Sequence, residues 1–208
     1  MTFATWSTFV AACIVFSLAP GAGSVSTMSC SLSHGFRRTL FNTLGLQISL
    51  SIHIMLVAAG LGALVASSAW AFAALKYVGA AYLAWIGIQK WREASAIDLA
   101  HDQCTRISGL ALVRNGMLVN ISNPKSIIFL AAFLPQFVNP ALPQIPQYAL
   151  LGATTLIIDA LVMVGFSLLA RSARAWFATP GRVRTQNRVF GTLFVGAGLA
   201  LASAQRSA

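Results

Sequence analysis

Six long apolar stretches, separated by short polar or proline-containing segments, run through the chain. Each approaches the roughly 20 apolar residues that a helix needs to cross the hydrocarbon core of a bilayer. The pattern therefore predicts an all-α integral membrane protein with a single transmembrane domain over residues 1–208. The predicted spans cover residues 3–19, 39–62, 70–91, 116–138, 148–169 and 189–204.

The composition supports a membrane protein. Hydrophobic residues make up 57% of the chain and charged residues 9%, whereas a soluble domain carries about 25% charged residues. We therefore expect the lipid bilayer as a partner and no separate soluble domain. The formal net charge is +10, but the basic residues lie in short loops, where membrane proteins place positive charge for topology. We expect no nucleic-acid partner.

The basic residues also predict an orientation. Loops rich in lysine and arginine stay in the cytoplasm, which places loops one, three and five inside and both termini in the periplasm. The opposite side carries only Lys76 and Arg206. The basic residues of the three inner loops are Arg37, Arg38, Lys90, Arg92, Arg106, Arg114, Arg171, Arg174, Arg182, Arg184 and Arg188.

The cysteines and the N-terminus point to no further chemistry. Cys13, Cys30 and Cys104 are odd in number and irregularly spaced, which predicts neither a disulfide framework nor a metal site. We expect no cofactor. The first apolar stretch lacks the basic region that precedes a signal peptide, so we expect it to be retained as the first span.

The fourth span contains a proline among polar side chains. Pro124 has no N–H, and its ring would clash with the carbonyl of Asn120. In lipid, a freed carbonyl needs a partner within the protein or a water-filled cavity, and transporters build binding sites at such broken helices. The alternative is a kinked packing helix, because proline is common in membrane helices. With Asn120, Asn123 and Lys125 within about a turn, both interpretations stay open.

A second break is predicted at Pro20 and Gly21, because glycine allows backbone conformations barred to other residues. Pro20 and Pro124 are separated by 124 − 20 = 104 positions, half of the 208 residues. Halves of about 1–104 and 105–208 would each contain three spans, so the second half would enter the membrane inverted. This predicts two inverted three-helix repeats whose broken helices, spans one and four, meet near the midplane.

One acidic residue lies deep in a predicted span. Asp159 is near the centre of span five, where a lone carboxylate costs about 2.5 to 3.5 kcal/mol. We expect it to carry a coupling proton, with Lys125 as its natural partner; the alternative is a neutral acid in a helix–helix hydrogen bond. His53 is a second proton candidate, although a neutral histidine bonded to a neighbouring helix is favoured. For Asn42 and Ser49 we expect interhelical hydrogen bonds.

Several stretches of the chain resemble the LysE/RhtB superfamily of amino-acid exporters. They are spread over the whole sequence, and the Pro-Gly and Asn-Pro-Lys blocks together make the resemblance specific. Much of that superfamily has a second proline and then a polar residue where this chain has Ala22 and Gly23. The resembling stretches are residues 19–23, 27–37, 45–47, 75–82, 120–126 and 154–159.

The resemblance implies a multi-pass secondary transporter of the bacterial inner membrane rather than an enzyme. Its expected activity is proton-driven efflux of homoserine, homoserine lactone and related small amino acids. We expect the proton to be carried by Asp159 or His53. The substrate is expected at the two helix breaks, held by Pro20, Gly21, Gly23, Asn120, Asn123, Pro124 and Lys125.

Other functions stay open at the level of the sequence. The nearest alternative is an exporter of another neutral amino acid, such as threonine or leucine. An intramembrane enzyme using His53, Asp159 and a serine is more distant, because the sequence contains no G-x-S-x-G or H-E-x-x-H motif. A membrane scaffold would not account for the cost of Asp159, and a channel would not concentrate its substrate. Glycine-rich faces of spans two and six would support a homodimer.

Overall fold

A computed structural model of the chain describes residues 1–67, 69–92, 107–170, 172 and 179–203. All regular structure in these residues is helical. Cys104, Arg106, Arg171, Arg174 and Arg206, which figure in the sequence analysis, lie outside the described residues. The helices are α1 (Phe3–Leu18), α2 (Ala22–His34), α3 (Phe36–Ser67), α4 (Ala69–Arg92), α5 (Gly109–Ile121), α6 (Pro124–Phe133), a 3₁₀ turn (Leu134–Phe137), α7 (Gln144–Leu168) and α8 (Pro180–Ser203).

The described part of the chain contains two to four candidate membrane spans. The segments Phe36–Gly60 of α3 and Gln144–Leu168 of α7 are each long and apolar enough to cross a bilayer alone. The pair α1 and α2, bent by 54°, and the pair formed by α5 and the segment Pro124–Phe137, bent by 60°, would each cross as one broken span. The predicted third and sixth spans fall on α4 and α8, and the six-span arrangement stays a prediction.

Three helices begin where the sequence analysis expects loop or polar chain. Residues 22–34 form α2 despite their small polar composition, and α8 begins at Pro180 within the predicted basic loop. Helix α5 begins at Gly109, where the Ser108 side chain accepts a hydrogen bond from the Ala111 N–H at 3.2 Å. Hydropathy marks the part of a helix that suits lipid, whereas capping and backbone hydrogen bonds decide where the helix begins.

Both predicted helix breaks are present. At the first, Gly21 is the N-cap of α2 in an extended conformation, and the Ser24 hydroxyl bonds both its N–H (3.0 Å) and its carbonyl (2.9 Å). At the second, Asn123 is the N-cap of α6 and its side chain accepts from the Lys125 N–H at 3.1 Å. Pro124 therefore starts a helix, where its missing N–H costs nothing. The Asn120 carbonyl accepts the Asn123 N–H at 3.0 Å.

Helices α1 and α6 are joined by a group of phenylalanine rings. The closest pair, Phe16 and Phe129, stacks with ring centroids 3.9 Å apart. Offset and edge-to-face aromatic pairs contribute about 0.5–1.5 kcal/mol beyond the area they bury. The rings tie the first broken pair to the second and form part of the core. The group consists of Phe9, Phe16, Phe129, Phe133 and Phe137.

Glycines bring two pairs of helices into backbone contact. A Cβ at Gly45 of α3 would collide with the Val113 carbonyl of α5, and one at Gly116 of α5 would collide with the Asn42 carbonyl of α3. Helices α4 and α8 meet in the same way at Gly191, where a Cβ would lie 2.6 Å from the Gly87 carbonyl oxygen. Small residues allow this approach where lipid gives helices no hydrophobic reason to associate.

The same contacts bear on the predicted homodimer. Gly45 of span two and Gly191 and Gly198 of span six already face helices of the same chain, whereas Gly196 has open space around it. Most of the glycines that suggested a dimer are therefore used within the protomer. The dimer remains a prediction.

We expect Gly116→Ala to destabilise the protein by at least about 1–3 kcal/mol, the cost of overpacking a tight contact. Gly60→Ala is the matched control, because a Cβ at Gly60 meets nothing within 4 Å. Thermal unfolding of both purified variants in detergent measures the difference. Equal unfolding midpoints would contradict the importance of the α3–α5 contact.

Candidate substrate site between the two helix breaks

A small cavity lies between the two breaks. Its walls come from α1, α2, α3, α5, α6 and α7 and from the residues of the breaks. The space open to water-sized molecules is about 30 Å³, which holds roughly two water molecules. An amino acid is larger than this, so the structure shows a closed state of the cavity.

Six of the nine predicted site residues line this cavity. Pro20 and Pro124 occupy the two breaks beside it, and His53 is likewise absent from the described lining. The structure thus brings together residues that lie more than 100 positions apart in the sequence. The six lining residues are Gly21, Gly23, Asn120, Asn123, Lys125 and Asp159.

Lys125 reaches across the cavity to the end of α1. Its Nζ donates to the carbonyls of Phe16 and Ala19, each at 2.7 Å, and lies 4.5 Å from the centroid of the Phe16 ring. The last carbonyls of a helix have no partner within it and carry partial negative charge. Lys125 therefore caps the first half-helix from the second repeat, and its charge also acts electrostatically on Asp159.

Asn120 and Asn123 hold the second break together. The Asn120 amide donates to the Leu46 carbonyl of α3 at 2.9 Å. The Asn123 amide donates to the Ser126 hydroxyl at 3.0 Å, and that hydroxyl donates to the Asn120 side-chain oxygen at 2.9 Å. These amides are engaged within the protein, so their first role is to fix the shape of the cavity wall.

Asp159 is held by a residue that the sequence analysis did not assign to the site. The side chain of Asp159 is 8% exposed, and Gln47 Nε2 of α3 donates to its Oδ2 at 2.7 Å. Ser17 of α1 also interacts with this carboxyl. Within the described residues, the buried Gln47 Oε1 and Ser17 Oγ lack a fully formed hydrogen bond. The carboxyl thus faces polar atoms with unused hydrogen-bonding capacity.

Other lining residues carry weaker signals in the sequence. Gln47 is a polar residue in an apolar stretch, as Asp159 is, and the same reasoning would have found it. Ser17 stands one turn before the first break. Leu46, Leu50 and Met163 also line the cavity, but such residues look the same in a core, a lipid-facing surface or a site.

The face of α3 that carries Asn42, Ser49 and His53 is buried, as expected. The predicted interhelical bond of Asn42 is confirmed, because its amide donates to the Ser26 hydroxyl of α2 at 3.1 Å. Ser49 Oγ finds no partner within the described part of the chain. His53 lies beside the backbone of Ile121 at the end of α5, and the structure does not bring it to Asp159.

Two broken helices that enclose a cavity with a single buried carboxylate among its described lining residues are the parts of a membrane transporter. The model of the LysE type translocator family matches residues 14–205, and the chain belongs to this family. The resemblance drawn from the sequence is thereby confirmed. The protein is a transporter and not an enzyme.

Curated relatives cover the whole chain. The chain is 45% identical over 207 residues to the homoserine/homoserine lactone efflux protein of Salmonella typhimurium strain LT2, with 100% of each chain covered. It is 45% identical over 205 residues to an uncharacterized membrane protein of Vibrio cholerae, covering 99% of this chain and 100% of that one. It is 26% identical over 199 residues to a leucine efflux protein of Enterobacter sp. strain 638, covering 94% of each. No solved structure matches the chain.

We expect Lys125→Met to lower the stability of the folded protein by about 1.5–3 kcal/mol, the contribution of hydrogen bonds to a charged group. The methionine keeps most of the packing but cannot bond the α1 carbonyls. Arg184→Met is the control, because Arg184 is exposed near the start of α8. Thermal unfolding in detergent measures both, and an unchanged Lys125→Met midpoint would contradict the capping role.

Proposed function

We propose that the protein exports homoserine, homoserine lactone and related small neutral amino acids across the bacterial inner membrane, driven by the proton gradient. The observation that carries the proposal is the cavity between two helix breaks, with Asp159 in its wall. The full-length similarity to a homoserine/homoserine lactone efflux protein supports the substrate class. The leucine efflux relatives, together with the apolar wall of Leu46, Leu50 and Met163, make a leucine exporter the second candidate.

The proposed architecture is six spans in two inverted repeats, with α1 to α4 corresponding to α5 to α8. The packing of the described helices supports this correspondence. Helix α1 packs on α7 as α5 packs on α3, and α2 packs on α7 as α6 packs on α3. Helices α4 and α8 pack on each other, as the two copies of one element would across a pseudo-twofold axis.

The proposed mechanism is alternating access around the cavity. Since the cavity holds roughly two water molecules, the repeats must separate on one side before an amino acid can enter. The breaks at 19–21 and 122–123 are the natural hinges, because no continuous helix crosses them. Gly21 and Gly23 leave the start of α2 open to the cavity, and N–H groups at a helix start favour a carboxylate.

Asp159 is the proposed carrier of the coupling proton. A buried acid persists in a span at a cost of about 2.5–3.5 kcal/mol, and this one lies in the cavity wall between the repeats. His53 remains a second candidate for the proton role, outside the described lining of the cavity. A transporter whose carboxyl is alternately exposed to the two sides can exchange a proton for its substrate.

The proposed orientation keeps loops one, three and five in the cytoplasm and both termini in the periplasm. One contact supports a shared side for loops one and three, since the Arg38 guanidinium at the start of α3 donates to the Ile107 carbonyl just before α5. Exposed Arg182 and Arg184 occupy the first turns of α8, which follow the fifth loop.

In liposomes with an imposed pH gradient, we expect the purified protein to accumulate homoserine and Asp159→Asn to lose accumulation. Labelled threonine, leucine and lysine are followed in parallel. Asp98→Asn, in the predicted third loop, is the matched control and should transport normally. Accumulation of leucine alone would move the substrate, and flux that ignores the gradient would indicate a channel. No flux of any amino acid from folded protein would sink the proposed function.

We expect Gly23→Leu to reduce homoserine transport at least about tenfold, because the side chain fills space needed by the substrate. Its folded state should survive, since a Cβ at Gly23 lies 3.8 Å from the nearest Leu46 methyl. Gly165→Leu, where a Cβ meets nothing within 4 Å, is the control for helix propensity. Initial efflux rates and unfolding midpoints are measured together, and normal transport by Gly23→Leu would place the substrate elsewhere.

A further inference from the structure

We propose that Asp159 and Ser17, with Gln47 behind them, form the site for the substrate's ammonium group, and that the ammonium and the proton compete for this one carboxylate. The inference rests on the proposed amino-acid export. It goes beyond it by assigning the substrate's charged group to the same carboxylate that takes the proton, and by deriving the exchange from that assignment.

The geometry leaves the carboxylate able to accept a cation. Gln47 holds Oδ2 at 2.7 Å, which uses one of about four lone-pair positions on an ionised carboxylate. Ser17 is 2% exposed, lines the cavity, and its hydroxyl has no fully formed hydrogen bond within the described residues. An ammonium group has three donors and no acceptor. Asp159 and Ser17 offer acceptors for them at the same point of the cavity wall.

The protein's own cation in the cavity has a different task. Lys125 Nζ directs two hydrogen bonds to the carbonyls at the end of α1, which fixes the position of that charge. It lies close enough to act on Asp159 through space and would raise the carboxylate's preference for the ionised form. An arriving ammonium therefore meets a carboxylate held from behind by Gln47.

The named substrates of the Salmonella relative favour an ammonium site. Homoserine carries a carboxylate and an ammonium, whereas its lactone closes the carboxyl group into an uncharged ester and keeps the amine. The charged group that the two compounds share is therefore the ammonium. Asp159 is the acidic residue among the described lining of the cavity, so a site that accepts both compounds would recognise them there.

Competition follows from burial. A carboxyl group deep in the bilayer is neutralised by a proton or by a cation, and a protonated acid has lost the charge that would attract the ammonium. On the cytoplasmic side, the arriving ammonium displaces the proton from Asp159 into solution. On the other side, a proton from solution displaces the ammonium. The net result is one substrate moved outward for one proton moved inward.

Few other titratable groups face Asp159. Lys125 of α6 and Cys13 of α1 interact with it electrostatically. Helix α3 presents the neutral Gln47, and the described lining from α2 consists of Gly23 and Ser24. A pH dependence of substrate binding can therefore be assigned by replacing Asp159 and Cys13 one at a time.

The test measures proton release on binding. Purified full-length protein in weakly buffered detergent, with a pH-indicator dye, receives homoserine, homoserine lactone, propanolamine or γ-hydroxybutyrate. Propanolamine lacks the carboxylate of homoserine, and γ-hydroxybutyrate lacks the amine. We expect about one proton released per bound homoserine or lactone at pH values where the carboxyl is protonated. Propanolamine should bind more weakly with the same release, and γ-hydroxybutyrate should cause none.

The variants separate the roles. Asp159→Asn should bind homoserine at least about tenfold more weakly and release no proton, because the neutral amide neither titrates nor attracts the ammonium. Asp159→Glu should restore the release, and Cys13→Ala should keep it. Ser17→Ala should weaken binding while keeping the release, with Ser49→Ala as the matched buried serine outside the described lining. Gln47→Leu should shift the pH midpoint of the release, as expected for a positioning residue.

Two results would overturn the proposal: homoserine binding without proton release at every pH, or equally tight binding of γ-hydroxybutyrate. The liposome assay on the same preparation distinguishes this failure from that of the proposed function. If gradient-driven homoserine accumulation persists with either result, export stands and the ammonium site falls. If no amino acid accumulates, the proposed function fails first and the ammonium site falls with it.

Discussion

The constraint on which the structure depends is that lipid offers no partner to a backbone N–H or carbonyl. Two helices stop and restart inside the predicted membrane region, and every polar group freed there needs a partner from the protein. Ser24 closes the first break, and Asn123 caps the restart at the second. Lys125 takes the carbonyls at the end of α1. The cavity is the space left between these repairs.

The site residues consequently serve two purposes at once. Asn120, Asn123 and Ser126 form a bonded group that anchors the second break to α3 through the Leu46 carbonyl. The glycine contacts between α3 and α5 hold the same two helices at backbone distance. The polar network and the close packing therefore fix the position of one wall. The opposite wall, with Asp159 on α7, is held to α3 by Gln47.

Sequence reasoning found the parts of this arrangement that violate a local rule. Pro20, Pro124 and Asp159 each break the pattern of an apolar helix, and each falls at or beside the cavity. The partners of those residues were less accessible, because a pairing such as Gln47 with Asp159 depends on which helices are neighbours. Lys125 was expected to assist a carboxylate, and only the structure shows the carbonyls that it caps. His53 carried a chemical signal equal to that of Asp159, but lies at a different place in the fold.

The reach of Lys125 has a consequence for how the chain is assembled. The first half-helix ends in carbonyls whose partner lies 106 positions later, counted from Ala19 to Lys125. During synthesis, that helix end leaves the ribosome long before the lysine does. The early part of the protein must therefore wait, with its end facing water or the insertion machinery, until α6 arrives. Insertion of the two halves is coupled by one side chain, and neither half would be a finished membrane protein without the other.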